Sequence, residues 1–450
     1  MALITKAIKG TQDVLPSFSH ENRFIEESML DIASKYGYSE MRTPVFEHTE
    51  LFQRGVGGTT DVVQKEMYTF EDKSGRSITL RPEGTAGAMR AFLEHGLFNE
   101  PLPQKVCYIT SCYRYEKPQA GRLREFHQFG VECLGTPSPA ADAEIIALAD
   151  EIFSFLDIEN LELQINSIGC PECRKDYHKA LYEYFSGHKG ELCETCLERL
   201  EKNPMRILDC KSPVCSEIAK NAPVVTDFLC DECRTHFESV KKYLDAMEIR
   251  YTVNPTIVRG LDYYTRTVFE FVSNEIGAQG TVCGGGRYDG LAEELGGQHV
   301  PSLGFAIGLE RLLLLMHAQE TDFPEQMKCN IFIASMGDDA YIAAAKAAND
   351  LRLSGIFAQF DVAGRSLKAQ MKYAGKIGAE FTAVIGEDEL KNGRINVKEM
   401  ATGDTTEMSL ENFAEEFSER IMNDTKSALK DLFSSDGEGL NINNLFDGLF

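Results

Sequence analysis

"CYRYEKPQAGRLREFHQFGVE", residues 112–132, is the stretch whose reading decides the fold. Taken as two strands joined by the loop "KPQAGR", its period of two sorts the side chains onto opposite faces. Cys112, Arg114 and Glu116 share one face of the first strand, and Phe126, Gln128, Gly130 and Glu132 share one face of the second. A face carrying an arginine, an aromatic plate, an amide and a carboxylate, with one glycine gap, suits the floor of a site for a flat polar ligand. A hairpin that merely turns its polar side to water alternates in the same way, so the surroundings must decide.

Two further stretches point the same way. In "PSLGFAIGLERLLLLM", 301–316, a strand of small and apolar residues runs into a helix whose first turn holds Arg311. Gly304 and Gly308 permit close backbone approach, and an arginine there can clamp phosphate oxygens in pairs. An ordinary strand–helix junction would read alike. In "NPTIVRGLDYYTRTVFEF", 254–271, Arg259 precedes a core-like strand and needs an anion to meet, because a guanidinium is always charged. Tyr263 and Tyr264 follow it. No G-x-x-x-x-G-K-[ST] is present, and "CGGGRYDG", 283–290, does not fit G-x-G-x-x-G. A nucleotide bound here is held by arginines on an antiparallel sheet.

The 450 residues suffice for about three domains. The spacing predicts a helix over 21–36 closed by Gly37, then a strand over 39–47 with Pro44 at an edge or bulge. From there to Gly135 the chain reads as strands and turns, and a helix follows over 135–156. Residues 170–250 read as a polar, cysteine-rich, largely helical insertion within a catalytic domain spanning 1–325. After a linker, 328–420 alternate β-α-β-α-β, which predicts an α/β domain with part of its sheet parallel. Residues 421–450 form an acidic tail for which disorder and docking on its own dimer both fit, Leu440, Ile442, Leu445 and Phe446 suiting the latter. The expected class is α+β: an antiparallel-sheet domain with a helical insertion, plus the C-terminal α/β domain.

Charge restricts the partners. Lys and Arg total 46 against 70 Asp and Glu, a net of −24, which argues against DNA or a general nucleic-acid coat role. A local patch remains compatible: Lys368, Lys372 and Lys376 fall at i, i+4, i+8, although a solvated helix face looks the same. No run approaches the roughly 18 apolar residues of a membrane helix, and the N-terminus shows no secretory pattern, so a cytoplasmic location is expected. Eight of the thirteen cysteines fall between 170 and 233. Cys170/Cys173, Cys193/Cys196 and Cys230/Cys233 are CxxC pairs, and Cys210 with Cys215 makes a looser fourth. Such pairs suit tetrahedral Zn²⁺, enough for two Cys₄ sites, while free or redox-active thiols fit the same spacing. The spacing leaves the pairing of the dyads open.

Over about residues 1–420 the sequence resembles the histidyl-tRNA synthetase family of class II aminoacyl-tRNA synthetases. "KGTQDVLP" resembles its N-terminal signature, and "YGYSEMRTPVFEHTELF" its dimer-forming first motif. "YRYEKPQAGRLREFHQ" is similar to the second motif and "GFAIGLERL" to the third. "RGLDYYTRTVFE" and "GGRYDGL" resemble two elements peculiar to the histidine enzyme. The resemblance implies a homodimer that activates L-histidine with ATP and Mg²⁺, then transfers histidine to the 3′ end of its tRNA, releasing AMP and pyrophosphate. It implies that Arg114 bridges the histidine carboxylate and the α-phosphate, with Arg259 on the opposite side. Arg311 would hold the γ-phosphate, Arg122 and Glu116 would lie near the phosphates, and Phe126 would stack on adenine. Glu132 and Tyr264 would meet the two imidazole nitrogens with Tyr263 alongside, and Glu83, Thr85 and Gln128 would hold the ammonium and backbone. Gln119 would meet the extra 5′ guanosine of the tRNA, and the C-terminal domain the anticodon. Many members of the family lack these cysteines, so catalysis would not need the zinc directly. A regulatory paralogue that binds histidine without activating it usually lacks the C-terminal domain and part of the arginine set. Arg114, Arg259 and Arg311 are all present here, which favours the enzyme.

Overall fold

The computed structural model describes residues 4–434 except 58, 59, 61, 211, 258 and 277–279. The chain divides after Pro324 into two compact units. The first is built on an eight-stranded sheet in the order Ser39–Glu40, Gln104–Tyr113, Glu125–Leu134, Ser302–Gly308, Thr281–Arg287, Thr265–Val272, Glu162–Ser167, Thr252–Val253. Its six inner strands pair antiparallel, and only the two short edge strands pair parallel. The class is α+β.

The expected hairpin supplies two adjacent strands, with Cys112 opposite Phe126 and Thr110 opposite Gln128. The first strand stops at Tyr113, so Arg114 and Glu116 lie in the connection rather than on the ladder. The reason is visible in the backbone. The Arg114 N–H still reaches Arg124 O at 2.9 Å, but the Tyr115 N–H turns away to Glu66 O. Odd positions Phe129, Val131 and Cys133 bury against Ile25 and Met29 of helix Ser19–Lys35 and Ile145 and Ile152 of helix Pro139–Phe155. Leu312 of helix Leu309–Ala318 and Leu244 of helix Asp231–Ala246 join the same core. Each large aliphatic side chain removed from water there stabilises the fold by about 1.5–3 kcal/mol. Helices thus cover one face of the sheet, and the even positions are left to face the other way.

Two expectations are corrected. Residues 39–47 are not one strand: Ser39–Glu40 joins the large sheet, while Phe46–His48 belongs to a separate three-stranded sheet. Pro44, lacking an N–H, stands in the break between them. The stretch to Gly135 also holds two helices, Thr49–Gly55 and Thr85–Glu94. The second starts where the Glu83 carboxylate accepts the Thr85 and Ala86 N–H groups at 2.7 and 2.9 Å, a cap that offsets the unpaired donors of a first turn.

The insertion is helical, as expected, with helices Pro171–Ser186, Glu194–Lys202, Pro213–Ala219 and Asp231–Ala246. Tyr177, Leu181, Phe185, Leu200, Ile207 and Val225 are among its buried residues. The second unit is a five-stranded sheet in the order Ala358–Phe360, Ile331–Ser335, Phe381–Ile385, Arg394–Glu399, Thr405–Ser409. The first two pairings are parallel and the last two antiparallel. Helix Phe413–Ser434 enters the expected tail, whose Leu440, Ile442, Leu445 and Phe446 lie outside the described residues. Among the described residues no helix is long and apolar enough to cross a membrane.

Candidate active site

The open face of the large sheet is a trough because its register lines up small residues. Glu270, Gly284, Ala306, Gly130 and Tyr108 form one cross-strand row, and Gly304 stands beside Glu132 in the next. Above the trough lies a cavity of about 870 Å³. Its walls include Glu83, Thr85, Arg114, Glu116, Arg122, Phe126, Gln128, Arg259, Tyr263, Tyr264 and Arg311, residues drawn from stretches far apart in sequence.

At one end stand buried carboxyl and phenol side chains. Glu132 is 1% exposed and lies beneath the cavity wall. Its carboxylate accepts the Tyr108 hydroxyl at 2.7 Å and the Tyr288 hydroxyl. Burial pushes its pKa up to about 8, against the pull of those two phenols. The gap expected at Gly130 is therefore not open to a ligand: it admits the Tyr108 ring, which a Cβ at Gly130 or Gly84 would strike. The Tyr263 and Tyr264 rings lie 4.7 Å apart, and Tyr263 is 5.5 Å from Tyr288. Tyr264 sits beside Arg259, whose Cζ is 5.7 Å from its ring centre. Glu83 already spends two acceptor positions on the helix it caps, and burial raises its pKa.

Sequence reasoning missed Tyr108 and Tyr288 as partners of Glu132. Tyr108 was discoverable, being an even number of positions from Cys112 on the same strand face. Tyr288 is held by its neighbour. Arg287, fully buried, donates to Asp142 and Asp289 at 2.9 Å each and to Thr136 O at 2.8 Å, fixing the "GGRYDG" turn. Breaking such a buried pair costs about 3–5 kcal/mol.

At the other end the chemistry is that of anions. Arg114 Nε donates to Pro82 O at 2.8 Å, and its Cζ lies 5.2 Å from the Phe126 ring centre. Arg122 pairs with Glu116, whose pKa burial raises. Arg311 donates to Thr281 O at 2.5 Å, and burial together with the charge of Arg122 lowers its pKa. Guanidiniums held close enough to repel one another favour a bound polyanion. Arg259 was expected to meet a phosphate; here it is paired with Glu270, which also accepts from Thr281 Oγ1 at 2.9 Å. Gln128 accepts from the Cys112 thiol at 3.3 Å. Glu310, also on the cavity wall, accepts from the His127 N–H at 2.9 Å and lies 2.8 Å from its Nδ1, a hydrogen bond that raises the His127 pKa. This link ties the hairpin to the helix bearing Arg311, and the sequence reading missed it.

Elsewhere, Gln119 is exposed in the loop after Glu116, and Lys368, Lys372 and Lys376 are all exposed on helix Leu367–Lys376 of the second unit. The thiols, whose pairing the spacing left open, gather as Cys170, Cys173, Cys230, Cys233 and as Cys193, Cys196, Cys210, Cys215.

Known proteins share this architecture. Residues 10–312 match the family described as histidyl-tRNA synthetase, and 329–420 match the anticodon binding domain. The histidine–tRNA ligase of Caldanaerobacter subterraneus subsp. tengcongensis is 56% identical over 409 residues, 91% of this chain and 98% of that protein. That of Clostridium novyi is 55% identical over 410 residues, 91% and 98% of the two chains. The structure of apo S. aureus histidyl-tRNA synthetase is 42% identical with a TM-score of 0.79, covering 92% of this chain and 100% of that one.

Proposed function

This chain belongs to the histidyl-tRNA synthetase family, and on that premise we propose that it activates L-histidine with ATP and passes histidine to its tRNA. One observation carries the reading: a single cavity is lined by Arg114, Arg122, Arg259 and Arg311 together with Tyr263, Tyr264 and Tyr288, and Glu132 lies buried behind Tyr288. Adenylation needs both together, because a carboxylate must approach a phosphate that repels it.

A histidine carboxylate oxygen attacks the α-phosphorus of ATP. The new O–P bond forms as the bond to the β-phosphate oxygen breaks, and pyrophosphate leaves. Arg114 bridges the two anions, and Arg259 exchanges Glu270 for the α-phosphate from the other side. Arg311 and Arg122 take the distal phosphates with Glu116 beside them, and Phe126 backs the adenine. Positioning and charge neutralisation account for the rate. Mg²⁺ would offset the remaining triphosphate charge. Glu132 has lone pairs beyond those used by its two phenols and accepts the imidazole N–H. Tyr264 meets the second ring nitrogen with Tyr263 alongside, while Glu83, Thr85 and Gln128 hold the ammonium and backbone. A site that pairs both nitrogens rejects side chains lacking them, since they would leave its polar groups unpaired. The terminal tRNA hydroxyl then attacks the acyl carbon and AMP departs.

The same reading takes 1–325 as catalytic, 170–250 as its insertion, 328–420 as the anticodon domain and 421–450 as the tail. It assigns the three lysines to tRNA and exposed Gln119 to the 5′ guanosine. Structural Zn²⁺ on the insertion thiols would take part in no chemical step of the reaction. A cytoplasmic homodimer completes it. The dimer is supported by Val45, Phe46 and Phe70, exposed apolar residues on or beside the small sheet and, for the first two, in the first motif.

The test is histidine-dependent exchange of pyrophosphate into ATP without tRNA. The expected result is exchange by the wild type that falls about 10²–10³-fold in Arg259→Ala. A wild-type protein that binds histidine but supports no exchange would overturn the reading in favour of a regulatory one.

A further inference from the structure

The insertion contains more than the reaction requires. Its four cysteine dyads fold into two nested tetrads: Cys170, Cys173, Cys230 and Cys233 make the outer one, and Cys193, Cys196, Cys210 and Cys215 the inner. Within each, the four sulfurs lie within 4.8 Å of one another. Cys170 and Cys173 Sγ are 3.6 Å apart, and Cys193 and Cys210 Sγ 3.8 Å. A tetrahedron with metal–sulfur bonds of about 2.3 Å has edges of about 3.8 Å, so these are the spacings of a closed tetrathiolate site.

Local structure makes the tetrads ready to carry charge. Cys170, Cys193 and Cys230 each stand at the N-cap of a helix and their CxxC partners in its first turn. Cys215 occupies the same first-turn place in helix Pro213–Ala219. Backbone donors already point at sulfur: Cys230 N to Cys173 Sγ at 3.1 Å, Cys193 N to Cys215 Sγ at 3.3 Å and Ser212 N to Cys210 Sγ at 3.5 Å. These are the outer contacts that hold metal-bound thiolates in place. Cys173, Cys196, Cys215 and Cys233 are buried, where unpaired thiols would add little beyond packing.

What each tetrad holds in place is an arginine. Arg174 follows Cys173 directly, and its Nη1 donates to Tyr264 O at 3.1 Å. Arg206 lies between Cys196 and Cys210, and its Nη2 donates to Gly260 O at 2.7 Å and to Asp262 Oδ1 at 3.1 Å. The loop 259–264, which carries Arg259, Tyr263 and Tyr264, is therefore gripped at one end from the inner tetrad and at the other from the outer one. Cys210 and Arg206 themselves line the active cavity.

We propose that each tetrad binds one Zn²⁺ and that the two ions, acting through Arg206 and Arg174, position the loop that reads histidine. The ions are not catalytic; they would add to the hydrocarbon core of a small insertion the cross-links that fix its short helices. The second half of the proposal rests on the histidine reading given above, and the first half does not.

The experiment uses the full chain purified under reducing conditions without chelator. Elemental analysis should find two zinc equivalents per chain, and Co²⁺ exchanged into both sites should show the intense visible absorption of a tetrahedral cobalt–thiolate. Cys215→Ala and Cys233→Ala should each drop the content to one equivalent. In pyrophosphate exchange each should raise the histidine KM about tenfold while the ATP KM moves less than about twofold. Should either cysteine variant fail to fold, Arg206→Ala and Arg174→Ala keep both tetrads. They should retain two zinc equivalents, raise the histidine KM similarly, and speed amide exchange in 259–264. Protein holding no zinc and no cobalt chromophore overturns the sites. Two zinc equivalents with an unchanged histidine KM and unchanged loop exchange in both arginine variants overturns the positioning role. A wild type that loads zinc but supports no exchange leaves the metal sites standing and counts against the function; amide exchange then decides the loop's dependence on metal.

Discussion

Arg259 lies across Gly284 and is paired with Glu270, the residue that stands opposite Gly284 on the neighbouring strand. A Cβ at Gly284 would run into the guanidinium. The glycine therefore exists to let a charged side chain lie flat on the sheet, and Glu270 holds that charge until a stronger anion arrives. Burial disfavours the Arg259 charge, but Glu270 more than compensates and holds its pKa above the usual arginine value.

Gly284→Ala should therefore act as a positional version of Arg259→Ala. Pyrophosphate exchange should fall at least about tenfold, since ångström-scale misplacement of a charge-stabilising group costs that much or more. Histidine binding by calorimetry should change less than about threefold. Equal losses in both would mean the alanine disturbs the whole floor.

Glu132 makes stability depend on pH in a direction that can be worked out. Its folded pKa is raised to about 8 from an ordinary 4.5. The native state therefore holds a proton that the unfolded chain releases, and this contribution is full below about 4.5 and lost as pH rises through about 8. Glu132→Gln, which carries no titrating proton, should melt higher than the wild type without ligands, by a margin that grows from pH 5 to 8 and then levels. The same variant should raise the histidine KM more than the ATP KM. Thermal melts at three pH values and the two KM values check both statements.

Gly130→Ala should destabilise the protein by about 1–3 kcal/mol, because the added methyl overlaps the Tyr108 ring whose hydroxyl reaches Glu132. Gly290→Ala, where nothing lies within 4 Å of the new Cβ, is the control and should be near neutral. Denaturant unfolding of the two variants separates the cases.

Replacing Lys368, Lys372 and Lys376 together with glutamate should raise the tRNA KM about tenfold or more and leave tRNA-independent exchange as it was. The dependence of tRNA affinity on salt should flatten by about 0.7–0.9 in log–log slope for each phosphate that is no longer neutralised. An unchanged slope would return these lysines to the role of a solvated helix face.

The hairpin over 112–132, the strand and helix around Arg311 and the alternating pattern of the second unit were legible in sequence because each rests on a period, two or 3.6, that side-chain burial imposes locally. The identities of the arginines, of Glu132 and of the tyrosine pair were legible because charge and hydrogen-bonding capacity are properties of residue type. Several things were not legible. Tyr108 fills the gap at Gly130, Tyr288 lies on Glu132, and Glu270 neutralises Arg259. The dyad of Cys170 closes with that of Cys230 and not with its nearer neighbour at Cys193. Each of these depends on which strand lies beside which and in what register, or on how four short helices pack. Those arrangements are set by contacts between residues distant along the chain, so sequence alone determined what chemistry the protein carries, and only the tertiary structure decided which groups meet.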